Sequence, residues 1–98
     1  MAMISMADIL RRRGEIIAVA RRYGASDIRI FGSIARGEAT ESSDVDLLVR
    51  FEPGRSLFDH GGLLMDLQDL LGVKVDVIDD EAMRPRFRQH VRQESIPL

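Results

Sequence analysis

The stretch Phe31-Gly32-Ser33-Ile34-Ala35-Arg36-Gly37, followed after a polar interval by Ser43-Asp44-Val45-Asp46-Leu47-Leu48-Val49, decides how the rest of the chain is read. Val45 to Val49 is a β-rich run. Alternate side chains in a strand point to opposite faces, so Asp44, Asp46 and Leu48 share one face and Val45, Leu47 and Val49 the other. Upstream, Asp27-Ile28-Arg29-Ile30-Phe31 reads as a strand that stops at Gly32, and Ser33 to Arg36 fits a single helical turn. Gly37 to Ser43, small and polar, is the loop between them.

Working outward, Ser5 can cap a helix with Asp8 three residues on. Ile9, Ile16, Ile17 and Ala20 then recur near one side until Gly24 stops it. This spacing predicts a first helix over 6–23, with Gly14 a weak point inside it. Past the Pro53-Gly54 turn, Ser56 caps a second helix that Leu57, Leu63, Leu64, Leu67, Leu70 and Leu71 carry to Gly72, although Gly61-Gly62 weakens its first half. Val73-Lys74-Val75-Asp76-Val77-Ile78 alternates and is the third strand. Pro85, favoured in a first helical turn, opens a third helix that runs to about Gln93. The order helix, strand, strand, helix, strand, helix predicts an α+β domain, close to α/β, with a small mixed sheet packed with helices. Residues 1–98 form one domain on this reading.

If the second and third strands are neighbours, their valine faces share a core and Asp44, Asp46 and Asp76 converge opposite it. Three close carboxylates repel and need a counter-charge. Mg²⁺ prefers oxygen ligands and is commonly held by one or two carboxylates plus substrate phosphates. Two such ions can activate a hydroxyl and stabilise a leaving oxygen in phosphoryl transfer. Asp44 and Asp46 are therefore candidate metal ligands, and Asp76 a candidate ligand and base on the nucleophile side. Gly32 would let a phosphate approach the backbone, and Ser33 would offer its hydroxyl beside the exposed amides of the turn. Arg36 adds a charge-assisted contact. An isolated Asp-x-Asp or Gly-Ser carries little, but together they supply both halves of a metal and phosphate site.

This pattern, Gly-Ser, ten residues, then Asp-x-Asp, resembles the signature of the DNA polymerase β-like nucleotidyltransferase superfamily. Nearly the whole chain is similar to its minimal nucleotidyltransferase (MNT) group. The resemblance implies the polymerase β-like nucleotidyltransferase fold, Gly32 and Ser33 at a nucleoside triphosphate, Asp44 and Asp46 on Mg²⁺, and Asp76 as third catalytic carboxylate. It further implies ATP as co-substrate and an antitoxin of the type VII kind, which transfers AMP to a tyrosine hydroxyl of a HEPN-domain toxin. Two alternatives stand beside it: an antitoxin that neutralises by binding alone, and a nucleotidyltransferase acting on a small molecule.

Composition narrows the remaining classes. The chain has 98 residues, 45% hydrophobic and 31% charged, with a net charge of −2 and no cysteine. A chain this short buries only roughly 60 to 65% of its unfolded surface, so a partner and a hetero-oligomer are expected. The net charge gives no general reason for nucleic-acid or acidic-membrane binding. No disulfide or thiolate zinc site is possible. No stretch has a signal peptide's apolar run or the ~20 apolar residues of a membrane span, so a soluble, cytoplasmic protein is expected. Thirteen of the fourteen basic residues are Arg, gathered at Arg11-Arg12-Arg13 with Arg21-Arg22 and at Arg84, Arg86, Arg88 and Arg92. Such runs read first as solvated helix faces and second as contacts for an acidic partner or a nucleic acid. His60 and His90 read as surface or packing residues, Met3, Met6, Met65 and Met83 as core fillers, and Tyr23 as packing for the first helix.

Overall fold

A computed structural model describes residues 4–98. Two short helices open it, α1 (Met6–Arg11) and α2 (Arg13–Arg22), followed by β1 (Ala25–Phe31), β2 (Val45–Phe51), α3 (Leu57–Leu71) and β3 (Val75–Asp79). A 3₁₀ turn (Asp80–Ala82), α4 (Pro85–Glu94) and β4 (Ile96–Pro97) complete it. The mixed sheet runs β3-β2-β1-β4. β1 pairs antiparallel with β2 and β4, while β2 and β3 are parallel, with α3 as their crossover. The α+β expectation holds, with the second and third strands adjacent.

The helices begin where the sequence places them. Ser5 and Asp8 form a reciprocal capping box at α1, and Ser56 and Asp59 form another at α3. α3 ends at Gly72 in a left-handed conformation. The expected single helix over 6–23 is broken, and the break lies at Arg12 rather than Gly14. There the Arg12 guanidinium donates to the Leu70 carbonyl at the end of α3, tying the kink to its neighbour. β1 starts earlier than expected and carries a bulge between Ser26 and Arg29, with Asp27 at φ +50°. β3 starts at Val75 rather than Val73, because Gly72 to Lys74 turn the chain out of α3, and the Gln68 side chain accepts the Val75 N–H at 3.2 Å. β4, two residues with a proline at the sheet edge, gave no periodic signal.

The sheet has two unequal faces. Ile28 and Ile30 of β1, Val45, Leu47 and Val49 of β2 and Val75 and Val77 of β3 face α1 to α3, meeting Ile9, Ile16, Val19, Ala20, Leu63 and Leu67 in one core. Met6 packs against that core, whereas Met65 is 57% exposed and not the core filler expected; Met83 is half-buried, and Met3 lies outside the described residues. On the opposite face Leu48 is buried, and α4 packs across β1 with Val91 turned inward.

Tyr23 explains the second glycine of the α3 pair. Its ring lies where a Cβ on Gly62 would stand, 2.4 Å from Tyr23 Cε1, and its hydroxyl donates to Asp66 Oδ2 at 2.5 Å. Gly62 is thus a seat for a side chain of α2's end, and α3 stays helical through it. His60 packs as expected, stacked on Phe51 with ring centroids 5.5 Å apart while its Nε2–H donates to the Val77 carbonyl at 2.7 Å. No helix of the described residues is long and apolar enough to cross a membrane.

Candidate functional site

The α4-bearing face of the sheet gathers the acidic residues. In the parallel β2–β3 ladder Asp46 stands opposite Asp76, and Phe31 of β1 stands on its other side. Asp44 sits at the mouth of β2, where the Val45 N–H donates to the Lys74 carbonyl at 3.0 Å. The loop before it is braced: the Thr40 N–H donates to Ser43 Oγ at 2.8 Å. Lys74 Nζ lies 3.8 Å from Asp44 Oδ2, a counter-charge not assigned from sequence although alternation placed Lys74 on the acidic face.

Gly32 joins the two halves of the site. Its φ is +77°, and a Cβ there would stand 2.3 Å from Asp46 Oδ2. Any side chain would therefore displace the carboxylate as well as strain the backbone. The turn that follows is closed by Arg36 N–H to Gly32 O at 3.1 Å, Gly37 N–H to Ile34 O at 3.2 Å and Glu38 N–H to Ser33 O at 2.9 Å. That ladder does not use the opening amides of Ser33 and Ile34, donors of the kind that suit an anion. Ile34 is buried in the core and anchors the turn. Arg36 is paired with Glu38, its Nε 3.0 Å from Oε2 on the surface, and its charge still reaches Asp46.

Burial pushes the Asp46 carboxyl above its ordinary value, and the neighbouring charges of Asp76 and then Asp44 add to the shift, against a smaller pull from Arg36. The three expected carboxylates are thus close enough to feel one another, and Asp46 carries negative charge that the protein leaves unbalanced. Among the described residues no three His, Cys, Asp or Glu side chains form a group able to hold a metal ion by themselves. The donor set is an open array of carboxylate oxygens, the kind that suits Mg²⁺ when phosphate oxygens complete its shell.

A second polar cluster lies beyond the site on the same face, and the sequence reading missed it. Asp80, 1% exposed, is the one buried charged residue among the described residues. It accepts from Arg88 at 2.6 Å and Arg50 at 3.3 Å, and Arg92 stands 3.3 Å from its other oxygen. Burial alone would raise its carboxyl, but the hydrogen bonds from Arg88 and Arg50 outweigh that and hold it below the usual carboxylate range. The clue was available: Arg88 and Arg92 are one helical turn apart, and Asp80 follows the strand beside the one that ends near Arg50.

Comparison with known proteins follows the same lines. A family profile described as a nucleotidyltransferase domain matches residues 15–97. The protein adenylyltransferase MntA of Thermococcus cleftensis is 40% identical over 75 residues, covering 76% of each chain. A Methanocaldococcus jannaschii protein provisionally named a protein adenylyltransferase is 37% identical over 84 residues, 86% of this chain and 90% of its own. A solved structure provisionally assigned as a minimal nucleotidyltransferase superposes with a TM-score of 0.88 at 46% identity over 97% of both chains. A toxin–antitoxin structure with AMP-PNP shares the fold, with a TM-score of 0.73 at 23% identity over 86% of this chain and 69% of that one. A glycine that seats an aspartate, a strand ladder that pairs two carboxylates and relatives this similar over this much of their length lead to one conclusion: the chain belongs to the nucleotidyltransferase domain family.

Proposed function

We propose that this protein transfers AMP from ATP to a hydroxyl of a partner protein, a tyrosine of a HEPN-domain toxin, and so acts as that toxin's antitoxin. The observation that carries the reading is the packing of Gly32 against Asp46, which sets the turn opened by Ser33 beside a carboxylate pair in strand register. The naming of the similar Thermococcus protein as a protein adenylyltransferase supports a protein acceptor, and the toxin–antitoxin assembly of a protein with this fold supports a toxin.

In the proposed reaction the acceptor oxygen attacks the α-phosphorus of ATP, the bond to the bridging oxygen breaks, and pyrophosphate leaves. Asp76, at the exposed end of the pair, takes the hydroxyl proton. The amides of Ser33 and Ile34 and the Ser33 hydroxyl hold the triphosphate, with Arg36 adding charge at the rim. Asp44 and Asp46, with Asp76, would hold Mg²⁺, two ions in all, whose bound charge neutralises the phosphates and acidifies the attacking hydroxyl.

The test is the intact mass of the neighbouring gene's product, co-expressed with the wild type and in parallel with the Asp44→Ala, Asp46→Ala variant. AMP-sized increments with the wild type alone are expected. An unmodified partner in both, or increments retained in the double variant, would overturn the reading.

A further inference from the structure

α4 and β1 border a shallow, open groove of about 430 Å³ lined by Arg29, Pro85, Arg88, Gln89, Arg92 and Gln93. Arg29 pairs with Leu48 across the ladder, two residues along β1 from Phe31, which pairs with Asp46. Two residues is an even step, so the groove opens on the face that carries the acidic array, about 7 Å along the strand from it. Its lining carries three guanidinium groups, Arg29, Arg88 and Arg92, and no carboxylate; Arg88 and Arg92 pair with Asp80, and Arg29 and Arg92 with Asp27. Arg29 Nε is buried without a hydrogen-bond partner, and Asp27 Oδ1 comes only to 3.4 Å of it. Arg84 and Arg86, on either side of Pro85 in the chain, are exposed.

We infer that this groove docks an acidic segment of the acceptor protein and so presents its hydroxyl to the carboxylates. The inference rests on the transferase reading above and adds to it the surface that selects the acceptor. The three arginines of the lining are already partly committed to Asp80 and Asp27, which suits one or two carboxylates rather than a polyanion. A lining of arginine without lysine is the composition of protein-binding surfaces. A net charge of −2 for the whole chain opposes long-range attraction of a nucleic acid.

Gln89 and Gln93 line the groove from exposed positions and are not among the partners of Asp80, so changing them tests docking without loosening the fold. Steady-state transfer to the neighbouring gene's product is measured for the wild type and for the Gln89→Glu, Gln93→Glu and Gln89→Lys, Gln93→Lys variants. We expect the KM for the acceptor to rise about tenfold in the glutamate variant and to fall in the lysine variant, with kcat and the KM for ATP within about twofold. The difference should shrink as salt rises, because exposed charges are screened. Calorimetric titration of the same acceptor in the Asp44→Ala, Asp46→Ala background reads docking with no transfer, and the glutamate pair should weaken binding there too. An acceptor that binds wild type and variants alike overturns the groove's assignment and leaves the transferase reading standing. A wild type that transfers no AMP, while docking still depends on the glutamate pair, overturns the transferase reading and leaves the docking surface. A single-stranded RNA oligonucleotide whose binding is lost in the glutamate variant, with acceptor binding unchanged, would assign the groove to nucleic acid and overturn the proposal.

Discussion

Gly32 and Asp46 form a pair in which each fixes what the other can be. A Cβ at Gly32 would stand 2.3 Å from the Asp46 oxygen in a backbone conformation at φ +77°. Gly32→Ala should therefore cost about 1–3 kcal/mol of stability and disable transfer, read by denaturant melts and by AMP incorporation. Asp46 itself opposes folding. Its native carboxyl titrates above its ordinary 3.8, so the native state keeps a proton that the unfolded chain has lost. Stability then falls as pH rises from 3.8 through the higher native value, and it stays reduced at neutral pH. Asp46→Asn should raise neutral-pH stability by about 0.5–2 kcal/mol while abolishing transfer. A melt showing no gain at neutral pH would refute that account of the site.

Among the elements, those with long periodic or alternating patterns were legible, and those made by contact between distant residues were not. Ser5, Ser56 and Gly72 marked helix ends where the structure places them, because caps are local chemistry. The break at Arg12 depends on a carbonyl of α3, and the late start of β3 on Gln68, neither of which a local reading contains. At the site, the acidic face followed from strand alternation plus the adjacency of β2 and β3, whereas the fit of Gly32 to Asp46 required the folded backbone. Gly62 shows the same limit: read as a helix weakness, it is the seat of Tyr23. Gly62→Ala should cost about 1–3 kcal/mol by overpacking, although alanine is the better helix former. A helix-propensity effect alone would give the opposite sign in the melting temperature.

Across the whole molecule, Asp80 holds the second layer in place by joining β2, through Arg50, to α4, through Arg88 and Arg92. Because its native carboxyl lies below the ordinary 3.8, its contribution is fully present above that value and is lost as pH falls through the lower native one. Asp80→Asn should cost about 1.5–3 kcal/mol at about pH 6, the range for hydrogen bonds to charged groups, and the gap to wild type should be smaller at about pH 3, below the ordinary carboxyl value. Paired denaturant titrations at the two pH values measure it. The parallel pairing of β2 with β3 has a kinetic consequence as well. Asp46 meets Asp76 only when the chain from Glu52 to Lys74 has closed on itself, a non-local step whose loop is longer than the Gly32-to-Asp44 connection of β1 and β2. In an extended unfolded chain Asp46 and Asp76 are far apart, so their repulsion belongs to the closed ladder. Removing that repulsion should accordingly leave the refolding arm of a chevron unchanged and slow the unfolding arm, so the paired carboxylates shorten the lifetime of the native state without delaying its birth.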